Sequence, residues 1–190
     1  MVKRDIARDK EIAWHESGHV VIRILNGDIL KHVTIEPVRG AAHGHIKYIE
    51  KYLSEEPFNP DRLRESARAI CAGAAVDMMK IAERDCEEEV PCDCDDIKME
   101  LGEMEDSTDY EQMTTRINTL LELQGKGDPD RWNPNLMSPF GILLEEIWEE
   151  TIKILKDHWP TVEAIATSLL EHRTLTGKQI GVIYEAIEMD

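Results

Sequence analysis

The 190-residue sequence is short of aromatic residues, with two Phe, four Tyr and four Trp. Leu, Ile, Val, Ala and Met must therefore fill most of any core. Cysteine is scarce too: Cys71, Cys86, Cys92 and Cys94 are too few and too clustered for the disulfide framework of a small secreted domain, so reduced thiols are expected. No stretch approaches the roughly 20 consecutive apolar residues that cross a bilayer. The opening Met1-Val2-Lys3-Arg4-Asp5 lacks the apolar segment of a secretion signal. These absences predict a soluble, cytoplasmic protein. Positive charge is the third shortage. Against 39 Asp and Glu stand only 22 Lys and Arg, a net charge of −17. That balance argues against nucleic acid and anionic membrane surfaces as partners, because phosphate contacts need clustered Lys and Arg.

What remains is globular in composition, 42% hydrophobic and 32% charged, at a length that fits one domain with a real core. Helical periodicity dominates. Ile6, Ile12, Ala13, Val20, Val21, Ile24 and Leu25 recur at helical spacing from about residue 5 to 25, and Asn26-Gly27-Asp28 ends the run. Two strand-like segments follow, 32–36 and 45–49, with Gly40 and Gly44 in the turn between them, which predicts one small β-hairpin. A second long helix is expected from about Asp61, burying Leu63, Ala67, Ile70, Cys71 and Ala74. Further helices are expected at 97–104, after Thr108, and at 139–158, 160–172 and 177–188. Thr176 with Gln179 three residues on has the spacing of a capping box. The fold class is therefore mainly α with one small sheet (α+β).

The sharpest motif is His15-Glu16-Ser17-Gly18-His19. Residues four apart share a helix face, so both imidazoles can reach one metal ion. Glu16, one position on, can reach a water bound to that metal and act as its general base. With seven His and 24 Glu, chance places His-Glu-x-x-His in roughly three of a hundred such chains. The competing reading is an amphipathic helix with two ordinary surface histidines. The apolar flanks Ile12-Ala13-Trp14 and Val20-Val21-Ile22 suit a buried motif better. A catalytic zinc usually takes three protein ligands, and spacing alone leaves His32, His43, His45, the cysteines and many carboxylates as candidates for the third.

Several segments resemble the peptidase domain of the FtsH-type ATP-dependent zinc metalloproteases, a membrane-anchored AAA+ family. His15-Glu16-Ser17-Gly18-His19-Val20 is similar to the family's His-Glu-Ala-Gly-His-Ala. Val33-Thr34-Ile35-Glu36-Pro37 matches its Val-Thr-Ile-x-Pro strand, and Ala72 to Asp77 resembles its Gly-Gly-Arg-Ala-Ala-Glu helix with the Arg lost and the acid shortened. Asp95-Asp96-Ile97 matches its Asn-Asp-Ile/Leu segment. Leu169 to Leu175 resembles its C-terminal Leu-Leu-x-x-Glu-Thr-Leu. The resemblance implies a zincin-like helical peptidase domain spanning 1–190, with a zinc-site core over 1–105 and a C-terminal helical bundle over 106–190. It assigns one catalytic zinc to His15, His19 and Asp96. It also implies a hexameric ring and an AAA+ ATPase. No Gly-x-x-x-x-Gly-Lys-Ser/Thr phosphate loop occurs, so any ATPase would be a separate chain.

Weaker signals surround this motif. His43 and His45, two apart on a strand, face one side and are candidate substrate contacts. Seven of the twelve residues from Asp85 to Asp96 are acidic and three are Cys. Cys92 and Cys94 there are candidates for a second soft metal, a redox switch or capture of the zinc itself, against the plainer reading of a solvated acidic loop. Trp148 and Trp159 read as packing residues. The expected function is zinc-dependent, ATP-independent endopeptidase action on peptides or unfolded proteins. Its rivals are a peptidase working with a separate ATPase, one that cleaves a single dedicated protein, and an inactive zinc-binding module.

Overall fold

The computed structural model describes residues 6–37, 45–49, 59–86, 108–126 and 138–189. The architecture is mainly α with a small sheet. Six helices and three strands lie among the described residues: α1 Ile6–Leu25, β1 Ile29–Thr34, β2 His45–Ile49, α2 Pro60–Cys86, α3 Thr108–Leu123, α4 Pro139–Asp157, α5 Trp159–His172, β3 Thr174–Thr176 and α6 Gly177–Glu188. The predicted helix at 97–104 and the expected boundary at 105/106 lie outside the described residues. The chain divides into two compact units, one formed by Met1–Lys51 with Ile154–Asp190, the other by Tyr52–Lys153.

In the first unit α1 packs against α5 and lies against β1 and β2. Ala13, Val20, Val21 and Ile22 on α1 are buried, as are Val162, Ile165, Ala166 and Leu169 on α5. Burying each of the larger side chains stabilises the fold by roughly 1.5–3 kcal/mol. The sheet has the order β2-β1-β3, antiparallel throughout. Its third strand, β3, extends the predicted hairpin. Thr174-Leu175-Thr176 is too short for its alternation to stand out, and its partner lies about 140 residues away. The pairing is well determined all the same: Leu175 sits opposite Val33, both fully buried, while Thr174 and Thr176 flank them on the other face.

Two local features let β3 turn directly into α6. Arg173 caps α5 in the left-handed conformation, φ 62°, with its N–H donating to the Leu169 carbonyl. The capping box expected at Thr176 forms: the Thr176 hydroxyl accepts from the Gln179 N–H, and the Gln179 side chain accepts from the Thr176 N–H. Gly177 follows because nothing larger fits. A Cβ there would stand 1.9 Å from the Leu30 carbonyl oxygen of β1.

In the second unit α2 packs on α3. The predicted face of α2 is buried at Leu63, Ala67, Ile70, Cys71 and Ala74, opposite buried Met113, Ile117, Leu120 and Leu121 on α3. The Cys71 thiol donates to the Met113 sulfur at 3.4 Å. Burial, with a smaller contribution from the Asp109 carboxylate, pushes that thiol up to about 12. Arg64 reaches Glu146 and Glu150 on α4, and Arg68 also reaches Glu150. Trp148 is a core residue, as expected.

Candidate metal centre

The His15-to-His19 segment lies in the C-terminal half of α1, where the helix is covered on nearly every side. Glu16 is 6% and His19 9% exposed, and His15 is half-buried. The two imidazoles meet. Their Nε2 atoms are 3.1 Å apart and the rings are inclined at 74°. Two nitrogens held about 2.05 Å from one tetrahedral zinc stand about 3.3 Å apart. The pair therefore fits a shared borderline metal, with the same nitrogen of each ring presented to it. Without a metal only one of the two can carry the proton between them, so the pair is suited to donating lone pairs rather than to holding two positive charges.

Three contacts fix α1 around this pair. At its start, buried Asp9 takes two hydrogen bonds from the Arg173 guanidinium, at 2.7 and 3.4 Å, and Arg173 also pairs with Glu36. These partners, Asp9 foremost, hold the Arg173 pKa above its ordinary value. Asp9 and Glu16 are seven residues apart and so share a helix face. At the end of α1, buried Arg23 bridges Asp28 at 3.1 Å and the Tyr48 hydroxyl at 2.7 Å, with its guanidinium carbon 3.8 Å from the centre of the Tyr48 ring. Between them Trp14, next to His15, stacks on Trp159 of α5 at 5.5 Å and 23°. The expected packing role of Trp159 is this stack. Sequence reading missed the Arg173 cluster altogether. The one available signal was a basic residue, Arg173, at the position where the resembling family pattern has Glu.

His45 is placed on β2, with its ring 5.4 Å from that of His32 on β1. Burial first, then the charges of His32 and Lys47, lower its pKa. Asp96, His43, Cys92 and Cys94 lie outside the described residues, and Cys86, at the end of α2, has no described side chain. No described helix is long and apolar enough to cross a membrane.

No family model matches the chain. Among curated proteins it is similar to an ATP-dependent zinc metalloprotease FtsH of Oenococcus oeni, 25% identical over 197 residues that cover 94% of this chain and 26% of that protein. The chain thus spans about a quarter of the length of that relative.

Proposed function

We propose that the chain is a zinc-dependent endopeptidase in which His15, His19 and Asp96 hold one zinc ion and Glu16 is the general base. The observation that carries this reading is the convergence of the His15 and His19 Nε2 atoms at 3.1 Å, with the buried Glu16 carboxylate on the same helix turn. Asp96 comes from the resemblance of Asp95-Asp96-Ile97 to the family's ligand segment. Bound zinc would lower the pKa of its water towards about 7 and polarise the substrate carbonyl.

The rest of the chemistry belongs to the chain's own groups. His15 and His19 donate through Nε2 and must be neutral to do so. A Glu16 carboxylate oxygen accepts a proton from the attacking water. It then delivers that proton to the leaving amine nitrogen, so that no free base is needed at neutral pH. Burial keeps the carboxylate out of bulk water, where its interaction with a developing charge would be weaker. Substrates in this reading are peptides or unfolded chains. The relative's name includes ATP dependence; an ATPase acting in trans and a hexameric assembly are the corresponding partner-dependent form.

The test is cleavage of casein by the zinc-loaded chain beside Glu16→Gln and Asp96→Ala. The expected result is cleavage by the wild type only. Glu16→Gln keeps its zinc and loses at least 100-fold in rate, the usual scale for a general base, while Asp96→Ala loses tightly bound zinc. Full cleavage by Glu16→Gln would refute the base, and unchanged zinc affinity in Asp96→Ala would refute the third ligand. Zinc binding by the wild type without casein cleavage would favour the partner-dependent form.

A further inference from the structure

We infer that His32 and His45, on the polar face of the small sheet, form a second divalent-cation site separate from the His15–His19 pair. β1 and β2 are paired antiparallel with His32 opposite Lys47 and Thr34 opposite His45. Period-two alternation puts these four residues on one face and Val33 and Ile46 on the other. His32 and His45 are thus diagonal neighbours on a hydrogen-bonded scaffold, held more rigidly than side chains on a loop.

Two observations carry the site. The first is spacing. An imidazole bound through nitrogen has its ring centre about 3.2 Å from the metal, so two on one tetrahedral ion have centres about 5.2 Å apart. The observed separation is 5.4 Å with the rings at 89°, close to the 4.8 Å and 74° of the His15–His19 pair. The second is an unmet need: Nδ1 of His45 is shielded from solvent and has no hydrogen-bond partner among the described residues. A shielded polar nitrogen without a partner is costly, and a coordinated cation would satisfy its lone pair.

The other groups on this face set the character of the site. Lys47 opposes a cation electrostatically, although its ammonium is exposed and can swing into water. The Thr34 hydroxyl is engaged with that of Thr174 at 2.7 Å and with the Arg173 carbonyl. No third imidazole, thiol or carboxylate joins the pair among the described residues. The site is therefore open, with two protein ligands and water elsewhere, and suits borderline cations that favour imidazole, such as zinc or nickel.

Equilibrium dialysis of the metal-free full-length chain against zinc, with bound metal counted, tests the pair directly. His32→Gln and His45→Gln should each bind one zinc fewer per chain than the wild type. The double variant should lose no more than either single one. A His15→Gln, His19→Gln variant should keep the equivalent that depends on His32 and His45, so the outcome does not hinge on the peptidase reading. Lys47→Gln, which removes the opposing charge and leaves both ligands, should tighten that equivalent several-fold. Circular dichroism confirms that the variants are folded. Loss in only one of the two single variants, or in neither, overturns the site.

Discussion

Two glycines four residues apart in α6 should respond to the same substitution with opposite sign. At Gly177 an added Cβ would meet the Leu30 carbonyl oxygen at 1.9 Å and its carbon at 2.9 Å. Ordinary contact lies near 3.4 Å or beyond, so strand or helix must move by more than 1 Å. The obstacle is backbone, and no rotamer change relieves it. Moving β1 away from the start of α6 strains the β1–β3 ladder and the Thr176 capping box together. One ladder hydrogen bond is worth about 0.5–1.5 kcal/mol and a cap about 1 kcal/mol. Adding overpacking strain of about 1–3 kcal/mol, Gly177→Ala should cost roughly 3–5 kcal/mol. Its better helix propensity returns at most about 1 kcal/mol. At Gly181 a Cβ meets nothing within 4 Å. Only the propensity gain remains there, so Gly181→Ala should stabilise by about 0.5–1 kcal/mol. Urea unfolding measures both. At about 2–4 °C per kcal/mol for a chain of this length, melting temperatures should move down by 6 °C or more and up by a few degrees. A Gly177→Ala protein within about 0.5 kcal/mol of wild type would refute the close approach of α6 to β1.

Arg173 offers a separable pair of effects, because it stands at φ 62° and also holds Asp9 and Glu36. Arg173→Ala loses the ion pairs and keeps the strain, whereas Arg173→Gly loses the pairs and relieves it. The Gly variant should therefore be the more stable of the two by about 1 kcal/mol in urea unfolding; equal stability would deny the strain. For Glu150, hydrogen bonds from Arg64, outweighing partial burial, lower the pKa from the usual 4.5. A depressed carboxylate contributes stability above its unfolded pKa and loses it as pH falls through the folded value. Glu150→Gln should thus flatten the stability profile below about pH 4.5 and leave the slope at pH 6–8 unchanged. With its thiol pushed up to about 12 and fully buried, Cys71 should resist alkylation at pH 8 in the native chain and react once the chain is denatured. Mass mapping of the labelled peptide decides it, and native-state labelling at a free-thiol rate would contradict the packing of α2 on α3.

Most helices were legible because their signals are local. The apolar period of α1 gives its extent, and Ala13, Val20 and Val21 of that period are buried, whereas Ile6 and Leu25 at the two ends are exposed. Thr176 and Gln179 mark the start of α6 to the residue, since a capping box is complete within four positions. The strand β3 was not legible, and the reason is range rather than propensity. Leu175 is buried only because Val33 lies opposite it, and no window of local sequence contains both. The ion pairs of Arg173 share this origin: Asp9, Glu36 and Arg173 come from three distant segments, and each alone reads as ordinary surface charge.

The candidate site divides along the same line. His15, Glu16 and His19 lie within five residues of one helix, so helical geometry alone brings the imidazoles together, and the 3.1 Å separation of their Nε2 atoms follows from i, i+4 spacing. A third ligand obeys no such rule. Its distance along the chain is set by the tertiary fold, so His32, His45, Asp96 and the cysteines were equal candidates until family resemblance chose among them. Two of these, His32 and His45, have their rings 5.4 Å apart across β1 and β2. A sheet that pairs two histidines on its polar face can hold a cation of its own. That is why the zinc count of the His32 and His45 variants, set beside that of Asp96→Ala, separates the two sites by residue rather than by affinity.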